Sequence, residues 1–281
     1  MIFASIVNVI LDILFVYYFN MGVFGAAFAT MIAQLCSALF CFIKLKHIHI
    51  LKLLPEDKVL QKDLSLYLVK LGLPMAFQNM VICVGGMILQ SVINGFGVIF
   101  LAGFTATNKL YGLLEVAATS YGYAMVTYVG QNIGAHQYKR VKTGYYHALL
   151  IALVTSVVIG IIMIVFGRSI LLVFISGNEK IVSQTLDVAY HYLLIMSLGL
   201  SILYYLHVTR STIQGLGNTV LPMVSGIVEF IMRTFIALFL PLMVGSQGIF
   251  YAEVGAWLGA DIVLLISYLY SMKKLIKTLV L

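Results

Sequence analysis

Eight apolar stretches follow one another along this chain, at 2–19, 22–43, 64–95, 98–129, 144–166, 182–209, 219–244 and 248–272. A bilayer core about 30 Å thick takes about 20 apolar residues per helix, so each stretch is long enough to cross. The two longest have length to spare for tilt or a bend. The short period-two segments of a membrane barrel are absent. The sequence therefore predicts an all-α polytopic membrane protein of about eight transmembrane helices. Only 10% of the residues are charged and 62% are hydrophobic, where a soluble fold carries roughly a quarter charged. The first stretch has no basic flank and no small-residue cleavage site and runs into further spans, which argues against a cleavable signal peptide. Its abrupt start raises the expectation that the chain is one part of a larger assembly.

The net charge of +7 invites a nucleic-acid reading, but the distribution of the basic residues rejects it. Lys44, Lys46, Lys52, Lys58 and Lys62 follow the second span, Lys139, Arg140 and Lys142 the fourth, Arg210 the sixth, and Lys273, Lys274 and Lys277 the eighth. The alternate loops hold only Arg168 and Lys180. Twelve against two is a positive-inside pattern. It predicts a multi-pass protein of the cytoplasmic membrane with both termini in the cytoplasm.

One sizeable polar stretch, centred on Pro55-Glu56-Asp57-Lys58, divides the chain. It predicts three parts: residues 1–43, a cytoplasmic connector at 44–63 that is partly an interfacial helix, and residues 64–281. His47 and His49 form a lone His-x-His with no further ligands beside it and read as interfacial polar residues. Cys36, Cys41 and Cys83 lack metal spacing and read as small apolar packing residues. A faint repeat joins Gly22-Val23-Phe24-Gly25-Ala26-Ala27 to Gly248-Ile249-Phe250-Tyr251-Ala252, each opening a span. The spacing to the preceding polar residues differs between the two, so the case for duplication is weak.

Ionisable residues inside spans are costly unless paired or hydrated, and so are functional candidates by default. Asp12 lies one turn after Asn8 on the same helix face. A carboxylate and an amide oxygen there suit a small hard cation such as Na⁺ or a titrating proton; a helix–helix hydrogen bond is the alternative. Glu115 stands in mid-span with Lys109 six residues away, off its face. It is placed either to carry a proton or attract a cationic substrate, or to bond a neighbouring helix. Glu229 and Arg233 have the spacing of an intrahelical ion pair, a pair that satisfies itself. Asp261 has no evident partner. Gly72-Leu73-Pro74, at the beginning of the third span, predicts a bend, with Gln78, Asn79 and Gln90 along the same helix as cavity-lining amides or interhelical glue.

No phosphate loop, metal cluster or nucleophile–base arrangement is present, so the sequence predicts no enzyme and no cofactor. The sharpest local motif, Gly130-Gln131-Asn132-Ile133-Gly134-Ala135, closes the fourth span and reads as a glycine-terminated helix end. With Ala106-Thr107-Asn108-Lys109-Leu110 before it, it resembles the multidrug and toxic compound extrusion (MATE) family. So do Gln214-Gly215-Leu216-Gly217-Asn218-Thr219, Ser225-Gly226-Ile227-Val228-Glu229 with Arg233, and Ala256-Trp257. The likeness runs over essentially the whole chain.

The resemblance implies a twelve-helix antiporter of two six-helix lobes, driven by Na⁺ or H⁺. It implies that residues 1–43 are the last two helices of the N-terminal lobe and 64–281 the complete C-terminal lobe. It also implies a coupling-ion site at Asn8, Asp12 and Thr30, the family's Thr standing eighteen residues after its Asp. The family's acidic residue on its first helix has no counterpart here. Gln78, Asn79, Glu115, Glu229 and Arg233 are the candidates for the substrate wall. The function implied is export of drugs or organic cations in exchange for a cation, with the lipid bilayer and the missing N-terminal helices as partners. Two other readings stay open: a lipid-linked-sugar flippase, which needs a cationic cavity, and a non-transporting remnant.

Overall fold

The computed structural model describes residues 2–48 and 61–280, except for the side chains at 274 and 276–280. Most of the connector, including His49 and Pro55-Glu56-Asp57-Lys58, lies outside the described residues. What is described is helical throughout. The order is α1 (Ile2–Asp12), a π turn (Ile13–Tyr18), α2 (Gly22–Lys46), α3 (Lys62–Asn94), α4 (Val98–Gly134), α5 (Tyr138–Leu171), α6 (Glu179–Gly215), α7 (Val220–Val244), a 3₁₀ turn (Ser246–Phe250) and α8 (Tyr251–Val280). The chain is an all-α multi-pass membrane protein.

Several helices overrun their apolar spans. α5 starts six residues before the predicted span and α6 ends six residues after it. Hydropathy registers the hydrocarbon-depth part alone, whereas the hydrogen-bond ladder continues into the polar layer and carries Lys139, Arg140 and Arg168 with it. Among the described residues, six helices are long and apolar enough to cross a bilayer on length and composition alone. α4 has the length, but Thr107, Asn108, Lys109 and Glu115 lower its hydropathy; the apolar segment Ile2–Tyr18 is the short one.

The chain divides into two compact units, Met1–Ser65 and Leu66–Leu281. In the first, a stripe of small residues on α2 (Gly25, Ala29, Ala33) is buried, letting α1 approach closely. Phe15 of the π turn packs on Phe28, ring centroids 5.6 Å apart.

In the second unit α6 is the central post, packed by α4, α5 and α8, while α7 pairs with α8. Its neighbours meet it through small residues and short hydrogen bonds. A Cβ at Gly103 of α4 would stand 2.8 Å from the Thr185 carbonyl oxygen, and one at Gly160 of α5 3.1 Å from that of Ser197. Thr107 donates to the Ala189 carbonyl at 2.7 Å, and the Tyr145 and Thr209 hydroxyls pair at 3.0 Å. Phe104, Tyr192 and Phe250 stack in series, with centroids 4.5 and 5.1 Å apart, which seats the 3₁₀ turn on α6. The opposite face of α5 is exposed and wholly apolar, with Leu150, Val154, Val158, Ile161 and Val165. Such a face suits contact with lipid tails.

α3 continues as helix through Pro74. Two local expectations change. The end of α4 is closed by a Schellman motif in which the left-handed residue is His136 (φ 57°), not a glycine. Its N–H bonds the Ile133 carbonyl and that of Gln137 bonds Asn132. Gly217 (φ 81°) closes α6 with the same pattern. Cys41 and Cys83 are exposed and Cys36 half-buried, so none is a core packing residue.

Candidate functional site

A cavity of about 670 Å³ opens inside the second unit. α3 lends it Gln78 and Asn79, α4 lends Tyr111, Glu115 and Thr119, and α6 lends His207, Arg210 and Gln214; α7 and α8 add Glu229, Arg233, Glu253 and Trp257. Polar side chains gather here because α4 and α6 are the helices whose sequences interleave them with apolar residues.

Four charges, three of them buried and Glu253 partly so, form a chain across the cavity's inner wall. Arg210 Nη2 donates to Glu229 Oε2 at 2.7 Å, Arg233 Nη2 to Glu229 Oε1 at 2.8 Å, and Arg233 Nη2 also to Glu253 Oε2 at 2.8 Å. Arg233 Nε adds a second bond to Glu253 at 3.1 Å, and Nη1 reaches the Ile82 carbonyl of α3 at 3.4 Å. The arrangement ties α6, α7, α8 and α3 together at membrane depth. Two acids against two bases leave it formally neutral, which is what makes its burial tolerable.

This overturns two expectations. Arg210 is not in a cytoplasmic loop: it lies inside α6, buried, and its guanidinium holds Glu229. Glu229 and Arg233 do pair as predicted, but they do not satisfy each other alone, since each takes a second partner from another helix. Glu253 escaped notice because it stands just inside the start of an apolar span, with no signal within its own helix.

The other candidates sit as follows. Gln78 is buried, accepts from Gln214 at 3.5 Å, and lies so close to α7 that a Cβ at Gly226 would be 2.6 Å from its Cγ. Asn79 is exposed toward the cavity. The half-buried Glu115 lines the same space and stays outside the ion-pair chain. In the first unit the structure brings Asn8 and Thr30 together: Asn8 Nδ2 donates to Thr30 Oγ1 at 3.4 Å, and Thr30 donates to the Ala26 carbonyl at 3.0 Å. Asp12, the last residue of α1 before the π turn, is not in that pair, and its Oδ1 is buried without a partner. Among the described residues no His, Cys, Asp and Glu cluster has metal-binding geometry.

The MatE family model matches residues 74–239, more than half the chain, and takes in Glu115, Arg210, Glu229 and Arg233 but not Glu253 or Trp257 of the cavity wall. This chain belongs to the MATE family. The probable multidrug resistance protein YpnP of Bacillus subtilis (strain 168) is 31% identical over 182 residues, covering 64% of this chain and 40% of that protein. The probable multidrug resistance protein NorM of Thermotoga maritima is 24% identical over 270 residues, 92% of this chain and 55% of NorM. The chain spans about half the length of the curated relatives it matches. Among solved structures, a MATE transporter in complex with MaL6 superposes with a TM-score of 0.85 at 20% identity, over 97% of this chain and 61% of that one. The MATE fold is therefore present along nearly the whole chain.

Proposed function

We propose that this chain forms the substrate cavity and the coupling-ion site of a multidrug exporter that exchanges organic cations for Na⁺ or H⁺ across the cytoplasmic membrane. The observation that carries the reading is the charge state of the cavity. Arg210 and Arg233 are the cationic groups a flippase would need for a pyrophosphate, and both are neutralised by Glu229 and Glu253 at 2.7–2.8 Å. Glu115 is left as a surplus carboxylate on the wall, which favours a cationic guest. The volume falls in the few-hundred-to-thousand Å³ range of small-molecule sites, and the stacked pair Tyr111 and Trp257 forms part of its lining.

Asn8, Asp12 and Thr30 are the proposed coupling site, Asp12 supplying the charge. An ion held there stabilises whichever conformation gathers the three oxygens, and the cavity's access changes with that conformation. With Arg210 removed from the loop count, eleven basic residues still face two, which supports cytoplasmic termini.

The test is efflux of ethidium from pump-deficient cells making this chain, alone and with a separately expressed four-helix N-terminal segment of a relative. Glu115→Gln is expected to slow efflux and Asp12→Asn to remove its dependence on the ion gradient. Ion-driven efflux that survives Asp12→Asn overturns the coupling role. Absence of efflux in both arms favours the non-transporting reading.

A further inference from the structure

One acid near the ion-pair chain takes no part in it. Asp261 lies on α8 two turns beyond Glu253, with Trp257 between them on the same face. Its Oδ1 is buried and has no hydrogen-bond partner. Arg210 shows the complementary deficit: Nη2 reaches Glu229 at 2.7 Å and Ser225 Oγ at 3.4 Å, but Nε is buried and bare. The charged side chains that act on Asp261 are these same two, Arg210 from α6 and Glu229 from α7. His207, three residues before Arg210 on α6, feels Arg210 and Glu229. Gln78 of α3 is uncharged, and Tyr145 of α5 stacks on Tyr268 two turns farther along α8. A buried donor and a buried acceptor, both unsatisfied on helices that pack together, are two halves of an unmade ion pair.

We propose that Asp261 is a protonation switch that competes with Glu229 for Arg210. With Asp261 protonated, Arg210 stays on Glu229 and the four-charge chain is neutral. When Asp261 loses its proton to water, the cluster gains one negative charge. Arg210 then turns its bare Nε edge toward Asp261, and Glu229 keeps Arg233 but frees one oxygen toward the cavity. One cation entering the cavity restores neutrality. Binding of a cation in the cavity is thereby linked to release of one proton within α6, α7 and α8, separately from the coupling ion proposed at Asp12. The inference rests on the cation-exporter reading for its guest, but not for the switch itself.

The chain's single tryptophan makes the switch visible. Trp257 lines the cavity, stacks on Tyr111 with centroids 5.8 Å apart, and is one turn from Asp261. The intrinsic fluorescence of the purified chain in detergent, followed against pH, is expected to show a step that is absent in Asp261→Asn, moved but kept in Asp261→Glu, and kept in Glu115→Gln. Persistence of the step in Asp261→Asn, or its absence from the unmodified chain, overturns the switch. Asp261→Glu keeps the test open where Asp261→Asn fails to fold. Calorimetric binding of tetraphenylphosphonium supplies the second arm. Its affinity is expected to rise by up to about tenfold per pH unit through the step, the slope for one proton released, and to lose that slope in Asp261→Asn. An unchanged slope in that variant again overturns the proposal. No binding at any pH overturns the cation-cavity reading instead, and the fluorescence step alone then decides the switch.

Discussion

The two units each hold a polar assembly at membrane depth, and they are built on opposite terms. In the second unit Arg210, Glu229, Arg233 and Glu253 are locked by contacts of 2.7–2.8 Å, and every charge is answered by another. In the first, Asn8 and Thr30 share one long contact of 3.4 Å and Asp12 keeps a bare oxygen. A site that must hold helices together spends its polar groups on one another. A site that must receive and release an ion keeps some of them free. On the proposed reading, the first assembly is the receptor for the coupling ion, while the four-charge chain holds α3, α6, α7 and α8 together around the cavity.

The largest effect that tests the contrast is on the scaffold side. Arg233→Ala leaves Glu229 with one partner and Glu253 with none, and is expected to cost about 3–5 kcal/mol, the range for one member removed from a buried pair. It is read as the loss of thermal unfolding midpoint in detergent. Replacing Glu253 by Gln in the same chain should recover much of that loss, because Glu229 keeps Arg210 and no uncompensated charge remains. A small effect from Arg233→Ala would mean that the network is wet and loosely held, and the contrast would collapse.

Next in size is the packing that frames the cavity. Gly103→Ala forces a methyl to 2.8 Å from the Thr185 carbonyl oxygen, and neither backbone can retreat alone; about 1–3 kcal/mol is expected. Gly72→Ala, with nothing within 4 Å, should be neutral or stabilising by up to about 1 kcal/mol through helix propensity. Similar midpoints for the two would show that α4 and α6 are not in close contact.

Much of the second unit was legible in the sequence, and its limits have a common cause. Glu229 and Arg233 could be paired by eye because four residues make one helical turn. Arg210 and Glu253 are 19 and 24 residues from Glu229 in the chain and reach it from other helices, so no local spacing reports them. Hydropathy also misplaced Arg210 outright, since a charge near a span's end looks like its boundary. In the first unit the Asn8–Thr30 proximity was reached through family resemblance. The π turn after Asp12 left no signal, because Ile13–Tyr18 is apolar and suits an α-helix equally well. His136 in a left-handed position likewise sits beside glycines that seemed better suited to it.

The smallest stability effects are expected in the receptor. Asn8→Ala removes one long hydrogen bond and should cost about 0.5–1 kcal/mol, measured in the same unfolding assay. Asp12→Asn should change the midpoint by no more than about 0.5 kcal/mol, yet abolish any protection by Na⁺ titrated into the assay. A large loss of stability from Asp12→Asn would make it a structural residue like those of the second unit and erase the distinction.

The π turn at Ile13–Tyr18 has a consequence for how this chain tolerates insertion and deletion. A π turn behaves as an α-helix with one residue too many, held in place by wider hydrogen-bonded loops, here including Phe19 N–H to the Leu14 carbonyl at 3.0 Å. Removing any one residue between 13 and 18 would let the segment relax to ordinary helix without loss of apolar length. Because the wider turn absorbs its additional residue locally, the same deletion would leave the facing of α1 nearly unchanged, and the contact between Asn8 and Thr30 should persist in the shortened chain. The segment is a place where one residue can be gained or lost with little change to what precedes it.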